Sequence, residues 1–131
     1  FIANSAFGGT PDPDRRPSRA NALKVGDTRN DSVNTDEGDN WDWFLIKADF
    51  TGTVVVTTRV FGEDSGDLAM SAYIGTDYRE PAVRSDQDIQ GVLGNESITI
   101  DVKQGDELRI KVEQLGSGAA VPYRISVGRV P

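Results

Sequence analysis

The side chains able to do chemistry in this chain are carboxylates, hydroxyls and aromatic rings. Its 131 residues include no histidine and no cysteine. Their absence removes the usual general base, the Ser-His-Asp arrangement, thiolate chemistry and the commonest zinc ligands together. What is left for metals is hard oxygen. Asp27, Asp31, Asp36, Glu37, Asp39 and Asp42 fall in one stretch, and Ca²⁺ takes about six to eight oxygen ligands. The spacing is not that of an EF-hand loop, so a plain solvated acidic loop is the competing reading. Two carboxylates at glycosidase separation can be found anywhere among 21 Asp and Glu. Nothing singles out a pair. The chain is expected to be non-catalytic.

The aromatic residues are better organised. Residues 38–50 hold both tryptophans and two of the five phenylalanines. Read as a strand, with its period of two, the segment places Phe44, Ile46, Ala48 and Phe50 on one face. Trp41, Trp43 and Leu45 take the other. A strand apolar on both faces at its start belongs inside a sheet. Trp41, Trp43, Tyr73 and Tyr78 would stack on sugar rings if exposed, although burial explains at least one of the tryptophans more readily.

These residues are positioned by a chain of short strands. Asn21–Gly26 is a first strand-like segment, and residues 27–40 read as a loop rich in Asp, Asn, Ser, Thr and Gly. Residues 53–60 are β-branched, 68–74 and 98–102 alternate, and 76–88 read as a polar loop or covered edge. A short strand is expected at 89–93. The cleanest alternation is Leu108, Ile110 and Val112 against Arg109, Lys111 and Glu113, and Tyr123, Ile125 and Val127 close the pattern. About seven or eight strands without any helical period mean an all-β, antiparallel β-sandwich or jelly roll, here of residues 20–131.

Residues 1–19 differ from the rest. Phe1 to Phe7 is uncharged and mostly apolar, Gly8-Gly9 follows, and Pro11, Pro13 and Pro17 stiffen what comes next. The segment reads as an extended arm and spacer. Phe1, Ile2, Ala3 and Phe7 would add to the sheet edge of another copy by β-strand addition. A spacer of about ten residues at about 3.3 Å each gives that reach, and head-to-tail donation of this kind builds an open filament. The chain opens on Phe1, as a chain with a removed leader would.

Lys and Arg number 14 against 21 acids, a net charge of −7. Such a balance disfavours nucleic acid and anionic lipid as partners. No apolar run approaches the roughly 20 residues of a membrane-spanning helix. Asn30 and Asn95 open N-glycosylation sequons.

Several pieces resemble the bacterial pre-peptidase C-terminal domain family. They are Ala20-Asn21-Ala22-Leu23, the acidic loop, Asp39-Asn40-Trp41-Asp42-Trp43-Phe44, Gly66-Asp67-Leu68, Gly105-Asp106-Glu107-Leu108 and Tyr123-Arg124-Ile125-Ser126-Val127. The likeness covers roughly residues 20–128, with the collagen-binding domain of clostridial collagenases as a structural relative. Asn40 replaces an acidic residue of the family pattern, and Gly105-Asp106-Glu107 replaces its Gly-Thr-Tyr. The resemblance implies a small secreted β-sandwich, with calcium near the acidic loop in some relatives.

Two expectations follow. The first is a secreted or cell-surface structural subunit that self-associates through the arm into a filament. Calcium at Asp27, Asp31, Asp36, Asp39 and Asp42 would brace it. The alternative is a monomeric module recognising a polysaccharide or fibrous protein, with Trp41, Trp43 and Tyr73 as stacking residues.

Overall fold

The computed structural model describes residues 20–33, 41–61, 67–75, 81–85, 95–115 and 121–130. These form nine strands: β1 (Asn21–Leu23), β2 (Thr28–Val33), β3 (Trp41–Lys47), β4 (Gly52–Val60), β5 (Asp67–Ile74), β6 (Val83–Ser85), β7 (Glu96–Val102), β8 (Glu107–Leu115) and β9 (Val121–Val130). They build a five-stranded sheet in the order β1-β3-β8-β5-β6 and a four-stranded sheet in the order β2-β9-β4-β7. Only the β1–β3 pairing is parallel; all the other pairings are antiparallel.

The alternation written into the sequence decides what lies between the sheets. Phe44 and Ile46 of β3, Leu108, Ile110 and Val112 of β8, and Leu68, Met70 and Ala72 of β5 face Val54 and Val56 of β4, Ile98 and Ile100 of β7, and Tyr123, Ile125 and Val127 of β9 in one core. Burial of this kind contributes about 25 cal/mol per Å² of apolar surface, and it dominates the stability of so small a domain. One polar contact crosses the core: the Tyr123 hydroxyl donates to Asp42 Oδ2 at 2.6 Å, with both residues fully buried. A second joins β6 to β7, where Ser85 Oγ donates to the buried Glu96 Oε1 at 2.8 Å.

Two turns share one construction. In Lys24-Val25-Gly26-Asp27 and Lys103-Gln104-Gly105-Asp106 the Asp N–H donates to the Lys carbonyl, and the Lys N–H donates to the Asp carboxylate. Gly26 and Gly105 sit at φ +100° and +95°, a region that only glycine occupies cheaply.

Two differences from the sequence reading, at β2 and β5, have physical causes. Part of the expected loop 27–40 is β2, a polar edge strand whose ladder partner is β9 rather than a local hairpin. Edge strands carry charge and hydroxyls because one side has no strand to pair with. Within the polar stretch 76–88, left open between a loop and a covered edge, the described part is an edge: a three-residue strand, β6, that pairs with β5. Strand β5 is buried along both faces from Leu68 to Tyr73, and not on its apolar side alone. The expected strand 89–93 and the arm 1–19 lie outside the described residues.

Candidate ligand-binding face

The outer face of the five-stranded sheet is built by register. Along β3 the outward residues are Trp41, Trp43, Leu45 and Lys47. Trp43 stands opposite Lys111 of β8, Lys111 opposite Ser71 of β5, and Ser71 opposite Arg84 of β6. One row over, Leu45, Arg109 and Tyr73 are aligned; on the other side, Trp41, Glu113 and Ala69. The alternation predicted for each strand thus converges on one surface.

The rings form a cluster. Trp43 and Tyr73 have centroids 5.3 Å apart with planes tilted by 43°, within the range where aromatic pairs attract. Both are nearly covered, at 5% and 7% exposure, while Trp41 is half-buried. The Lys111 ammonium lies 4.6 Å from the Trp41 ring centre and 6.0 Å from that of Trp43. A cation at that distance is held by the ring quadrupole. Charges around the cluster are paired: Arg84 with Glu113 at 3.7 Å, Arg109 with Glu107 at 3.3 Å and Lys47 with Glu107 at 3.9 Å. Arg109 also donates to the carbonyl of Gly75. Along the same strand the surface continues into a groove of about 410 Å³ lined by Ala22, Leu23, Lys24, Val25, Leu45, Lys47 and Asp49.

The three stacking candidates Trp41, Trp43 and Tyr73 therefore come together. Trp43 and Tyr73 form a floor, and Trp41 presents the accessible ring. Tyr78 lies outside the described residues. Lys111 was visible in the sequence only as an outward cation; its seat on the tryptophans depends on the β3–β8 register.

The carboxylates proposed for calcium are placed differently. Asp27 closes its turn as Asp106 closes the twin turn. Asp31 accepts from the Ser32 N–H at 2.8 Å. Asp42 is in the core against Tyr123. Asp27 and Asp31 are four residues apart on extended chain, about 13 Å at the strand rise, too far for one ion to bridge them. Asp36 and Asp39 lie outside the described residues. Among the described residues no group of three or more acidic side chains is placed to hold a metal. The arm residues Phe1, Ile2, Ala3 and Phe7 are likewise outside the described residues, and nothing described supports self-association.

No family model matches the chain, and no curated protein matches it in sequence. Solved structures do. The pre-peptidase C-terminal domain of a collagenase from Bacillus anthracis superposes with a TM-score of 0.67 over 86% of this chain and 97% of its own, at 17% identity. The fold is that of a pre-peptidase C-terminal domain. The resemblance expected from the sequence thus holds at the level of architecture. PliG of Aeromonas hydrophila, a periplasmic inhibitor of g-type lysozyme, reaches a TM-score of 0.50 at 13% identity, covering 83% of this chain and 97% of its own. A family 35 carbohydrate-binding module from Clostridium thermocellum reaches 0.45 at 15% identity, covering 79% and 88%. At such identities the likeness is one of fold. The pre-peptidase-like fold by itself assigns no site, which leaves that to this chain's own residues.

Proposed function

We propose that this domain is a non-catalytic, exported binding module that takes a polymer, polysaccharide or fibrous protein, on the outer face of its five-stranded sheet. The observation that carries this is the gathering of Trp41, Trp43 and Tyr73 on one face, with Lys111 over the indoles. A partly exposed ring on a rigid floor offers contact area at little entropic cost, which is how aromatic anchors act. The groove beside Leu45 extends that surface along β3. The fold shared with a domain of a collagenase, an enzyme named for a fibrous substrate, and with a periplasmic inhibitor supports an exported module.

The test is direct binding to insoluble neutral polysaccharides and to fibrillar collagen, read by co-sedimentation and tryptophan fluorescence. Trp41→Ala should weaken binding by about tenfold or more, as loss of an interface anchor does, with its urea midpoint nearly unchanged. If neither polymer perturbs the fluorescence, or if Trp41→Ala binds as well as the parent, the reading fails.

A further inference from the structure

The outer face of the four-stranded sheet holds a second, unlike surface. Four hydroxyl residues align straight across it: Thr28 of β2, Ser126 of β9, Thr57 of β4 and Ser97 of β7. The next row on the same face is Asn30, Arg124 and Arg59. Arg124 and Arg59 are direct cross-strand partners, and both are exposed. Arg124 Nε donates to Asn30 Oδ1 at 3.2 Å, a bond that does not use the terminal nitrogens of its guanidinium. Its guanidinium carbon lies 5.7 Å from the ring centre of Phe61, itself 48% exposed. The Arg59 side chain makes no hydrogen bond or ion pair among the described residues.

Two like charges directly opposite on a sheet repel, and sheet pairing gains nothing from them. An oxyanion set between the two guanidinium forks removes that cost, and Arg is the side chain whose geometry matches a carboxylate or sulfate. We propose that Arg59 and Arg124 form an anion site that, with the adjoining hydroxyl row, binds an acidic polysaccharide. The acidic group lies between the guanidinium groups. Hydroxyls of the neighbouring sugar meet Thr57 and Ser126, about 7 Å further along the strands. A peptide is the poorer fit, because β9 and β4 are inner strands whose backbone groups are already paired on both sides, and an extended peptide seeks a free edge. The overall charge of −7 does not oppose this, since charges on exposed surfaces are screened beyond about 8 Å at physiological salt.

This site is separate from the aromatic face, so each can fail alone. Titration calorimetry with polygalacturonate, whose acidic groups are carboxylates alone, and with dextran sulfate, whose acidic groups are sulfates alone, separates carboxylate from sulfate as the source of the charge; dextran and poly-glutamate serve as comparisons. Binding of at least one acidic polysaccharide, falling as salt is raised, is expected. Arg59→Gln and Arg124→Gln should each weaken it about tenfold, with Trp41→Ala without effect. Arg59→Gln should melt no lower than the parent, because it removes a repulsion and no described side-chain hydrogen bond or ion pair. Absence of binding by either acidic polysaccharide overturns the proposal. So does parental affinity in the Arg59→Gln/Arg124→Gln double variant, or equal affinity for poly-glutamate.

Discussion

The two outer faces of this sandwich are built by the same alternation and end up opposite in character. On the five-stranded sheet the outward residues are large and aromatic, and the charges around them are matched in pairs. On the four-stranded sheet they are hydroxyls, with two arginines opposed and Arg59 unmatched among the described residues. The first face has met its electrostatic needs within the chain; the second has not. An apolar surface with closed ion pairs is suited to a neutral polymer. A surface with an open cation pair is suited to an anion.

The comparison rests on a core that holds both sheets flat to each other, so its largest test is there. Phe44→Ala removes a fully buried ring and should cost about 3–5 kcal/mol, read from chemical denaturation. A loss under about 1 kcal/mol would mean that the inner face of β3 is misassigned. Tyr123→Phe deletes the hydroxyl that donates to the buried Asp42. It should cost about 1–3 kcal/mol, the usual penalty for depriving a buried acceptor of a donor; a neutral result would show water reaching that carboxylate. Removing residues 1–9 should leave polymer binding on the aromatic face intact. Loss of assemblies by sedimentation in that truncated chain would instead restore the filament reading.

The smallest effect concerns calcium. With Asp27 engaged in its turn and Asp42 in the core, an ion in this stretch would depend on Asp31, Asp36 and Asp39. At a hundredfold excess over its dissociation constant, an ion bound to the folded state alone adds about 2.7 kcal/mol. A calcium-dependent rise in melting temperature should then vanish in Asp36→Asn/Asp39→Asn. Identical melting in Ca²⁺ and EDTA removes the ion altogether.

How much of this could be read from the letters depended on the kind of signal. Inward and outward sides of β3, β8 and β9 were plain, since a single period fixes them. The β-sandwich followed from turn spacing. Strand β2 was hidden because Thr28 to Ser32 has the composition of a loop, and its pairing with β9 spans nearly the whole chain. The double burial of β5 was hidden because Ala69 and Ser71 look neutral; their small size suits a covered position, but which neighbours cover them is a matter of register. Of the two candidate surfaces, the sequence named Trp41, Trp43 and Tyr73 by residue type but not the cations beside them, for that same reason. Lys111 meets the tryptophans, and Arg59 meets Arg124, only once strands far apart in sequence are aligned. A lone sequence carries the periodicity of each strand and very little of its partner.

The short β1 has a mechanical consequence. It is joined to β3 through three aligned residues, Asn21 to Leu23, whereas β9 is laddered on both flanks, to β2 and to β4. Tension drawn through the two ends would therefore meet unequal resistance. The leading strand would part from its sheet first, while the trailing strand, clamped along most of its length, would hold until the sandwich itself came undone.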